Sequence, residues 1–306
     1  PLVHTYHTMY EDYTHYITKG YFEKSSKKVL EYLTKFYCDK TASQLIVPTK
    51  KTRDLFVEKY KIQNNVFIVP TGIEVEKFHQ ERYKKQDIIK LKEKMSIKED
   101  DFVILFVGRI AKEKNIDFLI NCQKDLIKNN KNIKLVLVGD GPQLEDIKKY
   151  INKNNLEDNI IILGKLPWEE VCKIYCVADV FATASKTETQ GLTVIEAMAA
   201  SKPVLAIDDD AFKNVVISDV NGYLFRSKRQ YKKLVNYLFK NNDKLIELSK
   251  QARITSESHS SKHFADQILN VYNFALGNRK LKKEKKIKKI IRRFREKRIN
   301  GKTISS

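Results

Sequence analysis

The stretch from residue 101 to residue 226 constrains the fold most, because continuous apolar runs alternate in it with helical patterns. Helical segments such as NIDFLINCQKDLI and PQLEDIKKYINKN separate the runs, which are DFVILFVG, IKLVLVG, NIIILG, VFATA, KPVLAI and GYLF. Strands that are apolar along their whole length, with helices between them, predict a parallel sheet covered on both faces. Such sheets bind ligands at the carboxyl ends of their strands, near the switch point of the strand order.

Residues 1–75 predict part of another α/β domain, and a length of 306 residues suits two domains. PLVHTYH reads as the end of a buried strand, and a helix is predicted over about 21–40. The strands QLIVPT and NVFIVPTG follow, with the helical segment KKTRDLFVEKY between them. Because the sequence opens inside a strand and without Met, we expect an amino-terminal piece with the early strands of this domain to be missing.

The remaining segments complete the predicted organisation. The charged residues 76–100 are predicted to connect the two domains. Residues 101–277 are predicted as the second domain, which ends in returning helices at about 229–253 and 262–276. Residues 278–306 are predicted as a basic amphipathic tail.

The strongest chemical signal is the segment ETQGLTVIEAMAASKPVLA, which crosses from a strand end into a helix. Gly191 permits a close approach of backbone to ligand. The helix amides that follow, around Leu192 and Thr193, lack intrahelical partners and suit a diphosphate. Glu196 lies one turn further in and can accept hydrogen bonds from a ribose diol, while Glu188 in the loop can reach a sugar. A surface glutamate and a second one that complements the helix dipole are the alternative; their place at a strand-to-helix crossover favours a ligand site.

Two further strand ends carry polar or glycine-rich loops. In FVGRIAKEKN a buried strand ends at Gly108, and Arg109 and Lys114 follow where a diphosphate would lie. In VGDGP a glycine turn places Asp140 and Gly141 after the next strand, close enough for backbone contact with a base and ribose. Each loop alone is an ordinary surface feature. Because both loops follow strands of the same predicted sheet and lie at the same edge of it, together they indicate a single nucleotide site.

Together these motifs resemble the retaining family 4 glycosyltransferases of the GT-B fold, in which two Rossmann-like domains face a cleft. The resemblance is carried by GRIAKEKN, VGDGP, the two glutamates seven residues apart and EAMAASKPVLA. The opening HTYHTMYEDYTHY, with IVPTKKT and IVPTGIE, is similar more narrowly to bacterial diacylglycerol glucosyltransferases of that family. Those enzymes add glucose to diacylglycerol on the cytoplasmic face of the membrane.

The resemblance implies a role for each candidate residue. Arg109 and Lys114 would hold the donor diphosphate, Glu196 the ribose and Glu188 the transferred sugar, with the first amides of the following helix in support. His7 would lie over the reacting sugar at a strand end of the acceptor domain, although a core or loop histidine is the alternative. Asp12 is a weaker candidate for acceptor contact.

The resemblance also implies a mechanism and a donor, which is expected to be UDP-glucose. No carboxylate is an obvious covalent nucleophile, and the family retains the anomeric configuration. A front-face substitution follows, in which the departing diphosphate helps to deprotonate the acceptor. No tightly bound cofactor and no metal site are predicted, and assistance by Mg²⁺ stays open. The family's glycine-rich loop after the first strand has no match here, so activity of this sequence by itself is left open.

The charge of +20 is concentrated in the tail, where Arg279 to Ser306 include 14 Lys or Arg and two Glu. Helical spacing puts five apolar side chains of the tail mostly on one side: Leu281, Ile287, Ile290, Ile291 and Phe294. Such a helix suits an anionic membrane surface, whereas a solvated tail and, less favoured, a nucleic-acid-binding tail are the alternatives. No apolar run approaches the roughly 18–20 residues that span a bilayer. With this tail, the resemblance implies a cytoplasmic location, peripheral on the inner face of the plasma membrane.

Four cysteines, at 38, 122, 172 and 176, form no metal-binding or disulfide pattern and are predicted to be buried thiols. The leading hypothesis is a peripheral-membrane glucosyltransferase acting on diacylglycerol. A related enzyme with a soluble sugar, polysaccharide or protein acceptor is the second, and a protein that binds polyanions through its tail is the third. A dehydrogenase is disfavoured because no G-x-G-x-x-G opens the first βαβ unit at Gly108.

Overall fold

A computed structural model describes residues 1–7 and 23–300, without the side chains of 23–24, 279–284 and 289–300. Its strands form two separate sheets, and every strand pair in them is parallel. The strands are β1 (Val3–Thr5), β2 (Gln44–Val47), β3 (Asn65–Ile68), β4 (Phe102–Val107), β5 (Ile133–Val138), β6 (Ile160–Gly164), β7 (Val180–Thr183), β8 (Val204–Ile207) and β9 (Gly222–Phe225). The parallel α/β architecture predicted from the alternating pattern is confirmed.

Helices connect the strands and cover both sheets. They are α1 (Glu23–Phe36), α2 (Lys50–Asp54), α3 (Lys85–Lys94), α4 (Ile116–Leu126), α5 (Leu144–Lys153), α6 (Trp168–Val177), α7 (Leu192–Ala199), α8 (Lys228–Lys240), α9 (Asn242–Glu257) and α10 (Ser261–Asn300). A five-residue π-helical turn extends each of α1 and α2. Among the residues that the structure describes, no helix combines the length and the apolar character needed to cross a membrane.

The first sheet has the order β1-β2-β3 and is covered on both faces. Successive side chains of a strand point to opposite faces, which separates the apolar residues of β2 into two sets. Leu45 and Val47 pack with Phe56 on one face. Ile46 packs on the other face against Val271 of α10. The last helix of the described chain therefore returns to the first sheet.

The second sheet has the order β6-β5-β4-β7-β8-β9. From β4 the chain builds outward to β6, and it then crosses back to place β7 on the other side of β4. The switch point of the strand order therefore lies between β4 and β7, where ligand crevices form in such sheets. The middle of β4, from Val103 to Leu105, is fully buried, which explains the unbroken apolar run in the sequence.

Two helix predictions were wrong at their ends. The helix predicted over 229–253 is divided at Asn241, whose non-helical backbone (φ −125°, ψ 78°) separates α8 from α9. The helix predicted to end at 276 continues through Gly277 to Asn300. One glycine inside a helix costs only about 1 kcal/mol relative to alanine, so Gly277 by itself does not end the helix.

The charged segment 76–100, expected to connect the domains, packs on the second sheet. Phe78 and Ile97 belong to the buried core of that sheet, and α3 contacts α6. We therefore propose that this segment belongs to the second domain. The prediction of buried thiols is confirmed, since all four cysteines are buried and none forms a disulfide.

Candidate active site

The loops that leave β4 and β7 meet over the switch point of the second sheet. Lys114, in the loop after β4, donates a hydrogen bond of 2.5 Å from Nζ to Oε1 of Glu188, in the loop after β7. The side chains are 18 % and 20 % exposed, so the ion pair is shielded but still accessible from the crevice. Arg109 lies exposed at the beginning of the same β4 loop. Two of the residues predicted from separate motifs are therefore in direct contact.

Local backbone conformation fixes the position of Lys114. A short 3-10 turn, Lys112–Lys114, ends at Asn115, which has a left-handed backbone (φ 53°) and precedes the first residue of α4. Asparagine adopts that conformation more readily than most residues. Its side-chain Nδ2 also donates to the carbonyl oxygen of Ala184 at 3.3 Å, which ties the β4 loop to the end of β7.

The glycine turn after β5 packs its backbone directly on the β4 loop. A Cβ added at Gly139 would lie 1.9 Å from the carbonyl oxygen of Gly108, and one at Gly141 would lie 2.3 Å from that of Ile110. The amide of Ile110 in turn donates to the carbonyl oxygen of Asp140 at 2.9 Å. These glycines thus allow two loops to interlock at the crevice, and donor contact at Asp140 and Gly141 stays a prediction.

The start of α7 has the conformation expected of an anion-binding helix end. Gly191 has a left-handed backbone (φ 76°, ψ 65°), and α7 begins at the next residue, Leu192. Leu192 is exposed and Thr193 is half-buried, so this helix end borders open space. The amides of the first turn carry the positive end of the helix dipole. Their contact with a diphosphate stays a prediction.

Glu196 lies against Tyr175 of α6. The phenol of Tyr175 donates to Oε2 of Glu196 at 2.6 Å, and only 7 % of the glutamate is exposed. Burial raises the pKa of Glu196 to about 6, although the hydrogen bond from Tyr175 opposes part of that rise. Burial and the neighbouring carboxylate also raise the pKa of Tyr175, which keeps the phenol as a donor. Tyr175 is not among the residues predicted from the sequence, because nothing in its helical segment indicates a role.

The carboxyl ends of all three strands of the first sheet meet the loop that carries Glu188. Thr189 donates from Oγ1 to the carbonyl oxygen of His7 at 2.8 Å, and its own carbonyl accepts from Thr49 Oγ1 at 2.7 Å. Gln190 forms two hydrogen bonds with the backbone of Thr71. Nδ1 of His7 lies 3.4 Å from Thr71 Oγ1. His7, predicted to face the reacting sugar, therefore lies beside the Glu188 loop.

Lys51 forms a further link between the domains. It donates from Nζ to Oδ1 of Asp209 at 2.7 Å and to the carbonyl oxygens of Lys186 and Glu188 at 3.2 and 3.4 Å. Lys51, Thr49 and Thr71 are not among the site residues predicted from the sequence. A signal was present, because the tetrapeptide IVPT occurs at 46–49 and again at 68–71, each time at the end of a strand of the first sheet.

The described part of the chain contains one group of possible metal ligands, on elements that do not form the crevice. It consists of Glu76, His79 and Glu257. Arg253 already occupies this cluster, with Nη2 at 2.9 Å from Nδ1 of His79 and Nη1 at 2.5 Å from Oε1 of Glu257. A guanidinium at this position makes the cluster an ion-pair network. The donor set does not fit a cation site.

Comparison with known protein families decides the affiliation of the chain. The profile of the family described as "Glycosyl transferases group 1" matches residues 87–255, more than half of the chain, and that of "Glycosyltransferase Family 4" matches residues 1–77. The chain belongs to the group 1 glycosyltransferases. The family 4 profile ends and the group 1 profile begins within the segment between the sheets, so each sheet of this glycosyltransferase is covered by one profile.

Two relatives of this glycosyltransferase carry the name alpha-monoglucosyldiacylglycerol synthase. The protein from Acholeplasma laidlawii is 35 % identical over 289 residues, which are 93 % of this chain and 72 % of the relative. That from Streptococcus pneumoniae is 35 % identical over 225 residues, which are 74 % of this chain and 50 % of the relative. The chain thus spans about three quarters of one relative and half of the other.

Solved structures show that the glycosyltransferase has the GT-B fold, with two Rossmann-like domains. Anabaena HepE in complex with UDP-glucose superposes with a TM-score of 0.74 at 19 % identity, covering 89 % of this chain and 72 % of that protein. Sucrose-phosphate synthase from Thermosynechococcus elongatus gives a TM-score of 0.75 at 21 % identity, covering 90 % and 68 %. The fold expected from the sequence motifs is confirmed.

The structure brings some of the predicted residues of this glycosyltransferase together and leaves others apart. Lys114 and Glu188 are in contact, and the peptide of His7 is bonded to the residue after Glu188. Glu196 is held by Tyr175, at the other end of the same motif. Asp12 lies outside the described residues. The individual roles of these residues stay predictions.

Proposed function

We propose that this glycosyltransferase transfers glucose from UDP-glucose to diacylglycerol with retention of configuration, at the cytoplasmic surface of an anionic membrane. The chain covers 72 % and 50 % of the two named relatives, and their names supply the acceptor class and the sugar. "Alpha" in those names also supports retention, because glucose is α-linked to the diphosphate in UDP-glucose. The UDP-glucose bound to HepE supports the donor.

The Lys114–Glu188 ion pair over the switch point is the observation that carries the proposal. A cation and a carboxylate at that point match the two parts of a nucleotide-sugar: an anionic diphosphate and a hydroxyl-rich hexose. Glu188 accepts hydrogen bonds from sugar hydroxyls, and Lys114 turns toward the diphosphate when the donor binds. Arg109, exposed at the same loop, adds a second cation.

The proposed reaction replaces one bond to the anomeric carbon by another on the same face of the ring. The acceptor hydroxyl oxygen forms the new bond, the bond from the anomeric carbon to the diphosphate oxygen breaks, and that oxygen takes the hydroxyl proton. Negative charge grows on the diphosphate as it leaves, so Lys114 and Arg109 stabilise the transition state more than the ground state. His7 contacts the sugar and helps to position the acceptor.

The exposed surface of α1 supports a membrane-bound acceptor. Its apolar side chains recur at helical spacing but face away from the described core; they are Val29, Tyr32, Leu33, Phe36 and, in the following turn, Tyr37. Thr34 and Cys38 face the core instead. Lys27, Lys28 and Lys35 are exposed along the same helix. An exposed apolar stripe among lysines suits an anionic interface.

The test incubates the purified full-length protein with labelled UDP-glucose and with vesicles of phosphatidylglycerol that contain diacylglycerol. We expect labelled glucolipid with an α linkage, which proton NMR of the anomeric centre identifies. Glu188→Gln and Lys114→Met are each expected to lower kcat by about 10²–10³, the usual loss for one electrostatic contact to a transition state. Arg109→Ala is expected to lower it as well.

A second ion pair of the same type provides the matched control. Lys128 and Asp125 pair at 3.4 Å at the carboxyl end of α4, at the edge of the second sheet opposite the crevice. Lys128→Met and Asp125→Asn should leave kcat unchanged. Transfer only to water-soluble acceptors would overturn diacylglycerol as the acceptor and favour a related enzyme with a soluble acceptor. A β-linked product would overturn the proposed retention of configuration. Indifference to every nucleotide-sugar, or full activity of Arg109→Ala and Lys114→Met, would overturn the donor site.

A further inference from the structure

Gln190 lies two residues beyond Glu188 and is 4 % exposed. Its Oε1 accepts from the amide of Thr71 at 2.8 Å, and its Nε2 donates to the carbonyl oxygen of the same residue at 2.9 Å. One side chain thus satisfies both the amide and the carbonyl oxygen of Thr71, three residues beyond the end of β3. A carboxamide provides the donor and the acceptor that this pairing requires, whereas a carboxylate or an apolar side chain does not.

The neighbouring residue extends the contact to the other two strands of the first sheet. Thr189 donates to the carbonyl oxygen of His7, after β1, and accepts from the hydroxyl of Thr49, after β2. Thr49 is buried and also accepts from the amide of Thr52 at the start of α2. Residues 189 and 190 are therefore bonded to the carboxyl ends of all three strands.

The opposite side of the same loop is held by charged side chains. Glu188 is paired with Lys114 of the second domain. Lys51 of the first domain donates to the carbonyl oxygen of Glu188 and forms an ion pair with Asp209, in which the side chains are 22 % and 16 % exposed. The loop that presents Glu188 is thus bonded to both domains within a few residues.

We propose that Gln190 is a positioning residue that locks the Glu188 loop onto the first domain, so that Glu188 and His7 are held at a fixed separation across the cleft. Thr71 is half-buried, and Gln190 supplies partners for its amide and its carbonyl oxygen only while the domains are closed. Closure of the cleft and the placement of Glu188 are thereby coupled. The inference rests on the proposed glycosyl transfer for its catalytic consequence, but its structural part does not.

The test replaces Gln190 by Met, which is of similar length and lacks both polar atoms. Three quantities are measured on the whole chain: UDP affinity, kcat for transfer, and hydrogen exchange of the backbone amides from 186 to 191. UDP has no hexose to meet Glu188, so its Kd should change less than about twofold. We expect kcat to fall at least tenfold and the loop amides to exchange at least tenfold faster, because ordering the loop before catalysis contributes to the rate.

Gln123→Met is the matched control. Gln123 is equally buried and donates to the carbonyl oxygens of Ile133 at 2.7 Å and Asn159 at 3.4 Å, at the amino-terminal ends of strands in the second sheet. This variant should lose stability while kcat per folded molecule and exchange of the Glu188 loop stay at wild-type values. If Gln190→Met does not fold, Thr189→Val, which removes the bond to His7, is expected to change the same quantities in the same direction.

The outcomes separate this inference from the proposed function. One outcome is faster loop exchange in Gln190→Met while the unsubstituted protein itself transfers glucose to no acceptor. That result would support the lock and overturn the glucosyltransferase assignment. Normal kcat and normal loop exchange in Gln190→Met would overturn the lock. A loss of UDP affinity in proportion to kcat would also overturn it, since the effect would then be a general loss of the site.

Discussion

At the scale of single residues, the Glu196–Tyr175 pair shows how burial affects the charge that the predicted contact with the donor ribose would need. Glu196 is almost fully buried, and burial raises its pKa to about 6. A ribose diol donates two hydrogen bonds, which the carboxylate accepts better than the neutral acid does. The phenol of Tyr175 donates to the same carboxylate, and this hydrogen bond opposes part of the rise in the pKa of Glu196. The tyrosine therefore helps to keep Glu196 ionised.

Donor affinity is expected to fall as the pH drops through about 6. Below that value Glu196 is protonated and loses acceptor capacity, so the KM for the donor should rise. In Tyr175→Phe the hydrogen bond to the carboxylate is lost, and the inflection should move to higher pH. Steady-state KM measured between pH 5 and pH 8 for both proteins tests this. Glu196→Gln should have a higher KM without the inflection.

Tyr231→Phe is the control for the loss of a buried phenol. Tyr231 is also fully buried and packs against Phe118 and Phe225, away from Glu196. An inflection that stays at the wild-type pH in Tyr175→Phe would contradict the assignment. The stability effect has its own sign: the folded pKa lies above the unfolded value of 4.5, so ionisation of Glu196 removes stability as the pH rises from about 4.5 to 6.

At the scale of elements, the start of α7 depends on a conformation that only glycine adopts easily. Gly191 has a left-handed backbone, and a Cβ there would lie 2.6 Å from Cε1 of Phe212. Gly164, at the end of β6, has a similar φ of 68°, but a Cβ there would meet no atom within 4 Å. Substitution at Gly164 therefore introduces backbone strain alone, whereas substitution at Gly191 introduces backbone strain and a steric contact.

Gly191→Ala is expected to destabilise the chain more than Gly164→Ala does. The left-handed conformation alone costs roughly 1–2 kcal/mol for an L-residue, and at Gly191 the contact with Phe212 adds to it. Urea denaturation measures both, and titration with UDP shows whether the helix start has moved. We expect weaker UDP binding in Gly191→Ala and unchanged binding in Gly164→Ala. Equal losses of stability in the two variants would mean that Phe212 moves aside freely.

At the scale of the whole molecule, charge and exposed apolar surface point to one kind of partner. The chain carries +20, and α1 exposes an apolar stripe whose Tyr32 is 69 % exposed and whose Phe36 is 45 % exposed. The backbone of α10 is helical to Asn300, so the basic residues of the tail continue a helix. Of the apolar face predicted there, only Ile287 has a described side chain, and it is exposed. The proposed membrane association therefore rests mainly on α1 and on charge.

Binding to phosphatidylglycerol vesicles is expected to depend on both features. Combined Tyr32→Ser and Phe36→Ser changes should weaken it at least tenfold, because each aromatic side chain contributes about 1.5–3 kcal/mol when fully buried. Changing Lys285, Lys286 and Lys288 to Gln should weaken it by about 1 kcal/mol per charge, and added salt should do the same. Vesicle sedimentation measures each effect.

Ile254→Ser is the control, since Ile254 is 63 % exposed on α9, apart from the α1 stripe. It should leave vesicle binding unchanged. Vesicle binding that survives the Tyr32 and Phe36 changes would exclude α1 as the contact surface. Tighter binding to nucleic acid than to vesicles at the same salt concentration would favour the polyanion alternative over the membrane.

The sequence by itself determined the parallel α/β class, the positions of the strands and the strand ends that carry chemistry. These features are local: a buried parallel strand must be apolar along its length, and the loops after Gly108 and before Gly191 need particular residues whatever surrounds them. That is why Lys114 and Glu188, taken from motifs 74 residues apart, could be assigned to one site before their contact at 2.5 Å was known.

Only the tertiary structure decided which side chains hold that site. Tyr175 and Glu196 lie 21 residues apart, Gln190 and Thr71 119 apart, and Lys51 and Asp209 158 apart. None of these partners has a local pattern that demands it, because a buried amide or carboxylate needs only some partner of matching polarity. Which partner it meets depends on how the two sheets face each other, and that arrangement is a property of the folded chain.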